Sequence, residues 1–143
     1  MFKGEYSHTI DDKGRLIMPA KYRELLSEGF VITRGFDKCL FVFDQEDWDK
    51  FEGDLKALNI GTKGVRDLQR FFIGGAVDGE IDKQGRTLVP QVLRKFANLE
   101  KDVVLVGVGG HIEIWNSEAW ENNGSFDDVD QIAERLSELG ILL

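Results

Sequence analysis

A nine-residue segment that occurs twice is the feature that most limits how this chain can fold. It reads DDKGRLIMP at 11–19 and DKQGRTLVP at 82–90. Four residue types recur at the same offsets: Asp11 and Asp82, Gly14 and Gly85, Arg15 and Arg86, Pro19 and Pro90. Self-similarity of this kind indicates duplication of one structural unit. Two copies are too few for a solenoid, so we expect two halves that close on each other.

The similarity continues beyond this segment, for about 45 residues in each copy. With one residue of slippage, the alignment pairs Gly35 with Gly107 and Trp48 with Trp120. A unit of this size buries too little apolar surface to fold alone. The two copies are therefore predicted to pair around a pseudo-twofold axis within one chain.

Each copy has the pattern of a β-hairpin followed by a helix and two more strands. Asp at the first position of a tight turn and Gly at the fourth suit a type I turn whose glycine has a positive φ. The proline that follows ends the second strand and suits the first turn of a helix. The predicted class is α+β. The predicted strands are 5–10, 15–18, 30–34 and 39–43 in the first copy, and 76–81, 86–89, 103–106 and 111–115 in the second.

Four segments are predicted along the chain. The first repeat spans 5–50 and the second spans 76–120, with a connecting helical segment at 51–75 and an acidic C-terminal helix within 121–143. In that last segment the apolar residues recur at helical intervals, which predicts an amphipathic helix. They are Val129, Ile132, Ala133, Leu136 and Leu139.

The charge of the chain is distributed unevenly. Its 143 residues have a formal net charge of −8, which by itself argues against nucleic acid as a partner. From residue 113 onward, however, eight acidic residues stand against one arginine, whereas 8–23 and 80–95 each carry four basic residues against two acidic ones. Both copies of the repeated segment are therefore locally basic, and a local basic patch attracts polyanions whatever the net charge.

Several kinds of site and partner are not expected. No apolar run approaches the roughly 18 residues of a membrane span, and the N-terminal stretch lacks the features of a signal peptide. The single Cys39 cannot form an internal disulfide, which favours a buried thiol in a reducing cytoplasm. His8 and His111 are too few to build a metal cluster with it. We predict a cytoplasmic protein with no membrane partner, metal, cofactor or small-molecule substrate.

Arg15 and Arg86 are the leading candidates for function. Each directly follows the turn glycine, and an aspartate (Asp11 or Asp82) lies four residues before it. One interpretation is a local ion pair that stabilises the turn by about 0–1 kcal/mol. The other is that the aspartate orients the guanidinium for bidentate hydrogen bonds to phosphate or to a guanine edge. The residues alone leave both open.

Each turn also carries a lysine, Lys13 in the first and Lys83 in the second. Their charge and position make them further candidates for contacts with a polyanion. Gly14 and Gly85 are predicted to serve the turn itself.

A duplicated Asp-x-x-Gly also allows an enzyme in which Asp11 and Asp82 form a carboxylate dyad. The neighbouring arginines oppose this, because they would keep both carboxylates ionised whereas such a dyad shares a proton. The sequence shows no nucleophile–base arrangement and no phosphate-binding glycine loop followed by a helix. The prediction is therefore a protein that is not an enzyme.

The pattern D-x-x-G-R-x-x-x-P followed by an apolar helix resembles the AbrB-type swapped-hairpin DNA-binding domain. Two such patterns after the opening MFKGEYSHTIDDKGRLIMPAKYRE resemble the MraZ family of bacterial regulators, encoded at the head of the division and cell-wall gene cluster. The stretches TRGFDKCLFVF, TKGVRDLQRFF and GHIEIW extend the resemblance over essentially the whole chain.

This resemblance implies a fold and a function. Hairpins of both copies would intertwine into one small barrel, and subunits would assemble into a ring-like homo-oligomer. Asp11 with Arg15 and Asp82 with Arg86 match the family's D-x-x-x-R segment, which contacts double-stranded DNA. Binding to short direct repeats would repress the protein's own promoter, as a nucleoid-associated repressor. The alternative is a protein-assembly or antitoxin-like module of the same fold without specific operator binding.

Overall fold

The structure, a computed structural model, describes residues 1–141. The first copy comprises β1 (Phe2–Thr9), β2 (Arg15–Ile17), α1 (Ala20–Leu25), β3 (Phe30–Arg34), β4 (Leu40–Asp44) and α2 (Gln45–Lys56), and α3 (Lys63–Phe72) follows it. The second comprises β5 (Val77–Gly79), β6 (Arg86–Leu88), α4 (Gln91–Phe96), β7 (Asp102–Gly109), β8 (Ile112–Asn116) and α5 (Ser117–Asn123), and α6 (Val129–Glu138) follows it. The mixed α+β class is confirmed, and the repeated order of elements fits a duplicated unit.

Strands of the two copies pair with each other. The main sheet has six antiparallel strands in the order β1-β7-β8-β4-β3-β5, and a second sheet consists of β2 and β6. The first strand of each copy thus pairs with the third strand of the other, as β1 with β7 and β5 with β3. Within the first copy, the expected β1–β2 hairpin keeps only an isolated bridge between Ile10 and Leu16, because β2 pairs with β6 instead.

A pseudo-twofold axis relates the two copies. Leu16 lies opposite Thr87 in the two-stranded sheet, and these residues occupy the same place in the duplicated segment. In the main sheet Phe41 lies opposite Glu113, and these two also correspond. Because corresponding residues face each other in both sheets, the axis passes between the members of each pair.

The strand register corrects one part of the sequence alignment. Phe30 lies opposite Asp44 and Val103 lies opposite Asn116, so Phe30 corresponds to Val103. This shifts β7 by one residue, and Gly107 then corresponds to Arg34 instead of Gly35. The connection from β3 to β4 contains a 3₁₀ turn at Phe36–Lys38 and is one residue longer than that from β7 to β8, which absorbs the shift.

The main sheet is covered on both faces, as the alternation of its side chains requires. One face packs against the β2–β6 sheet and the helices α1 and α4, with Leu16, Met18, Tyr22, Val89 and Leu93 fully covered. The other packs against α2, α3 and α5 in a cluster rich in aromatic side chains. The predicted burial of Cys39 is confirmed, and burial raises the pKa of its thiol.

Equivalent residues start the helix after each copy's last strand. The side chain of Asp44 accepts a hydrogen bond of 2.8 Å from the backbone N–H of Asp47, and that of Asn116 accepts one of 2.9 Å from Ala119. Each thereby satisfies one of the amide groups that a helix leaves unpaired at its N-terminus. The helices of the repeated segment instead begin after Pro19 and Pro90 without a side-chain cap.

The helix α6 differs from the other long helices, because none of its residues is buried. The predicted amphipathic helix is present, yet Val129 and Ile132 on its apolar side are 49% and 54% exposed. Among residues 1–141, no helix combines the length and hydropathy that would allow it to cross a membrane.

Candidate nucleic-acid interface

The turn at 11–15 holds Asp11 and Arg15 in a fixed arrangement. One carboxylate oxygen of Asp11, Oδ1, accepts hydrogen bonds from the backbone N–H groups of Lys13 (3.0 Å) and Arg15 (2.9 Å). The other, Oδ2, accepts one from Arg15 Nε at 2.7 Å. The N–H of Gly14 closes the turn on the carbonyl of Asp11 at 2.9 Å, and its φ of +84° is the positive value predicted for that position. The aspartate therefore braces both the turn and the arginine.

The second turn repeats this arrangement. Asp82 Oδ1 accepts hydrogen bonds from the N–H groups of Gln84 and Arg86, both at 2.9 Å, and Asp82 Oδ2 accepts one from Arg86 Nε at 2.9 Å. Gly85 closes the turn with a φ of +80°. Since both turns keep the same set of bonds, the duplication has preserved the geometry as well as the sequence.

Hydrogen bonding keeps both carboxylates ionised. The backbone N–H of Arg15 contributes most to lowering the pKa of Asp11 below its ordinary 3.8, and the side chain of Arg15 lowers it further while desolvation opposes both. The pKa of Asp82 is lowered in the same way by Arg86. Each carboxylate is bound to its own arginine, so this geometry opposes a dyad that shares one proton.

The two arginines lie on one surface, although each follows a different turn. In the β2–β6 ribbon Arg15 is opposite Leu88 and Ile17 is opposite Arg86. Side chains alternate across a strand, so these four form its outer face, while Leu16 and Thr87 point inward and are buried. We call the set Arg15, Ile17, Arg86 and Leu88 the ribbon face. Arg15 and Arg86 are diagonal neighbours in this ladder. Residues in such positions lie about 7–8 Å apart.

Both arginines of the ribbon face reach solvent with their terminal nitrogens. Their side chains are 32% and 29% exposed, and they line one shallow depression of about 180 Å³ together with Glu80, Ile81, Asp82 and Leu88. Within residues 1–141, the only hydrogen bonds from either guanidinium come from Nε. The Nη groups of Arg15 and Arg86 are thus available to a ligand that accepts two hydrogen bonds side by side.

Lys13 and Lys83 lie at the same two turns and are exposed. They do not occupy equivalent positions, because Lys13 is the third residue of its turn and Lys83 the second. Neither takes part in a salt bridge in the described part of the chain. Both are therefore placed where they can add positive charge beside the ribbon face.

Two further arginines contact the turns, and the sequence analysis did not single them out. The guanidinium of Arg94 lies against Gly14, where an added Cβ would come within 2.7 Å of its Cζ. Arg23 lies against Gly85 in the same way. Each helix after a turn thus sends an arginine onto the turn of the other copy, and Arg94 Nε also donates to the carbonyl of Val89 at 2.8 Å. The signal in the sequence was the repeated P-x-x-x-R.

Comparison with known proteins identifies the family. The family described as "MraZ protein, putative antitoxin-like" matches residues 1–71 and 72–136. The "Transcriptional regulator MraZ" of Lachnoclostridium phytofermentans is 54% identical over 141 residues, 99% of each chain. Proteins of the same name from a Thermoanaerobacter species and from Clostridium tetani are 51% and 50% identical, over 99% of this chain and 100% of theirs. The chain belongs to the MraZ family.

Each of the two MraZ matches ends in the helix that follows its copy. The first match ends one residue before the end of α3, and the second ends within α6. The helix α3 packs on the main sheet, where Thr33 Oγ1 donates to the carbonyl of Phe72 at 2.6 Å and Arg34 Nε donates to that of Phe71 at 2.9 Å. No residue of the helix α6 is buried, so this helix is not packed on the sheet as α3 is.

No metal site accompanies this surface. Residues 1–141 contain no group of three or more histidine, cysteine, aspartate or glutamate side chains placed to hold an ion. The names of the MraZ relatives denote regulation of transcription and no class of enzyme.

Proposed function

We propose that this protein is a sequence-specific DNA-binding transcriptional regulator without enzymatic activity, located in the cytoplasm and associated with the nucleoid. It binds short direct repeats in the promoter of its own division and cell-wall operon as a ring-shaped homo-oligomer, and it represses that operon. The observation that carries the proposal is the ribbon face, on which two aspartate-braced arginines present their Nη groups together. Membership of a family whose relatives are named transcriptional regulators supports it.

The ribbon suits double-stranded DNA in shape and charge. A two-stranded β-ribbon fits the major groove of B-DNA, and arginine is the residue that most often binds guanine O6 and N7 there. Asp11 and Asp82 hold the two guanidinium groups in place before binding, which reduces the side-chain entropy lost on forming the complex. Lys13 and Lys83 would contact the phosphates beside the groove, where lysine acts as a point charge.

The proposed fold behind this function is the swapped-hairpin barrel, in which the two copies imitate a dimer. The exchange of strands between β1 and β7 and between β5 and β3 supports it. A single subunit neutralises few phosphates and would bind weakly. A ring that presents several ribbon faces to spaced repeats would gain affinity through effective concentration.

The experiment that tests this function combines footprinting with salt titration. Purified protein is expected to protect a regularly spaced set of short repeats upstream of its own gene. Arg15→Ala and Arg86→Ala should each weaken binding by about 1–3 kcal/mol per contact and lower the slope of log K against log salt concentration. Absence of any protection, or unchanged affinity in the double variant, would overturn the assignment.

Arg70→Ala provides a matched control. Arg70 is also an exposed arginine bound to an aspartate, with 3.2 Å between its Nη1 and Asp67 Oδ1. It lies on α3, which covers the face of the main sheet opposite the ribbon. The control variant should therefore bind the promoter fragment like the natural chain. Sedimentation of every variant must show the same oligomer, so that a loss of binding reports the site alone.

A second candidate function is a protein-assembly or antitoxin-like module. The observation that favours it is the exposed apolar side of α6, since a 10-residue amphipathic helix without a buried residue suits contact with another protein. This candidate predicts an intact oligomer together with equal, weak affinity for promoter and random DNA. Selective binding of the promoter fragment would exclude it as the main function.

A further inference from the structure

The apolar side chains of the ribbon face are unusually exposed. Ile17 is 48% exposed and Leu88 is 55% exposed, although both lie in short strands whose inward residues are fully covered. Each lies directly opposite the arginine of the other copy. The outer surface of the ribbon therefore alternates cationic and apolar side chains around the pseudo-twofold axis.

This alternation does not suit a surface that binds only phosphate. Phosphate oxygens take hydrogen bonds and positive charge, and an apolar side chain between two guanidinium groups supplies neither. Base edges in the major groove present both kinds of partner, because guanine accepts hydrogen bonds from arginine and thymine offers its C5-methyl group to apolar contact. The chemistry of the face thus matches base edges better than the sugar–phosphate backbone.

A carboxylate in the same depression supports this orientation. Glu80 is exposed and lines the depression with Arg15, Arg86 and Leu88. A glutamate that approached phosphates would be repelled by them. In the major groove the same group can accept a hydrogen bond from the N4 amino group of cytosine. The depression is therefore better suited to face the bases than the phosphates.

We propose that Ile17 and Leu88 are specificity-determining residues that contact thymine methyl groups in the major groove, between the guanines bound by Arg15 and Arg86. This inference rests on the proposed DNA-binding function. It assigns to each copy one arginine contact and one apolar contact from the same strand, Arg15 and Ile17 from β2 and Arg86 and Leu88 from β6. The two copies would differ in a further contact, because Thr9 in the first copy corresponds to Glu80 in the second.

The test uses the full-length chain and a library of randomised double-stranded DNA. The natural protein selects a motif from the library, and Ile17→Ser and Leu88→Ser are then selected in parallel. Serine removes every methyl group of both side chains, whereas threonine would keep a methyl group that can contact thymine. Each variant is expected to lose base preference at one thymine position of its own, while its salt slope stays that of the natural protein.

Replacing thymine by uracil at the affected position sharpens the test, because uracil lacks only the methyl group. The natural protein should bind the uracil duplex about fourfold more weakly, as expected for one methyl group removed from water on binding. Ile17→Ser should bind the thymine and uracil duplexes nearly equally at its own position, and so should Leu88→Ser at the other. Unequal losses of this kind identify which side chain contacts which base.

Val108→Ser is the matched control. Val108 is a 47% exposed strand residue at the end of β7 farthest from the turns, opposite Lys3. It should select the same motif as the natural protein. An unchanged motif in both ribbon variants would overturn the inference. A change of oligomeric state without a change of motif would also overturn it, because the ribbon face would then be a contact between proteins. If the natural protein selects no motif, the proposed function itself fails.

Discussion

At the scale of single residues, two independent features of the structure require glycine at the fourth position of each turn. Gly14 and Gly85 have positive φ values, which side chains other than glycine rarely adopt. They are also covered by Arg94 and Arg23 from the opposite copy. A glycine that looks like an ordinary turn residue in the sequence is therefore also a contact between the two halves.

We expect Gly14→Ala to destabilise the protein by about 1–3 kcal/mol, the range for a residue held in an unfavourable backbone region. The new Cβ would also meet the guanidinium of Arg94. Urea unfolding followed by tryptophan fluorescence measures the change. Gly53→Ala in α2 is the control, because nothing lies within 4 Å of its added Cβ and alanine favours a helix by roughly 0.5–1 kcal/mol. Equal effects of the two substitutions would contradict the account.

The aspartates allow a prediction about pH. The pKa of Asp11 and of Asp82 is lowered in the folded chain, so their stabilising effect is full at pH values above the ordinary 3.8 and is lost as the pH falls through the lower folded value. Arg15→Ala should move the pKa of Asp11 upward but leave it below 3.8, because the backbone N–H of residue 15 is the largest cause and remains in place. Carboxyl-carbon NMR titration measures both values. Return of the pKa to 3.8 in this variant would show that the side chain alone was responsible.

At the scale of elements, prediction from the sequence succeeded where the pattern is local. The strand over 30–34 lies where its short apolar run predicts it, and the amphipathic helix after residue 128 lies where helical periodicity places it. The short helix α5 was missed, because SEAW follows a strand without the apolar spacing that marks a longer helix, and Asn116 caps it through one side-chain contact. The shift of β7 was missed because a shared glycine outweighed strand register in the alignment.

The exposed helix α6 leads to a prediction about stability. Because none of its residues is buried, deletion of residues 127–143 should change the midpoint of thermal unfolding by no more than about 2–4 °C, the shift that accompanies roughly 1 kcal/mol. Differential scanning calorimetry at several protein concentrations measures this. A large loss that depends on concentration would show that α6 stabilises contacts between subunits. A large loss independent of concentration would contradict the exposed position of the helix.

At the scale of the whole molecule, the duplication produces one closed unit that is not fully symmetric. Equivalent strands follow in the same order from either edge of the main sheet, as β1-β7-β8 from one edge and β5-β3-β4 from the other. The edges differ, because β1 has eight residues and β5 has three. In the second copy Gly79 leaves room for the ring of Phe30, whereas the equivalent pair in the first is His8 with Val103. The larger side chain thus lies on β3 in one pair and on β1 in the other, so large and small residues have changed places between equivalent strands.

The sequence alone determined the duplication, the two Asp-braced turns and the position of strands such as 30–34. These features depend on the backbone preferences of neighbouring residues and on short apolar runs, which can be recognised without knowing what each strand contacts. It also placed Arg15 and Arg86 among the candidate residues, through the aspartate four positions before each.

Only the tertiary structure decided that β2 pairs with β6, and therefore that Arg15 and Arg86 share one face with Ile17 and Leu88. The choice of partner strand depends on packing between residues far apart in the chain, here the burial of Leu16 and Thr87 against the main sheet. No local pattern encodes that contact. For the same reason the arginines that lie against the opposite turns, Arg23 and Arg94, became recognisable only once the two halves were in place.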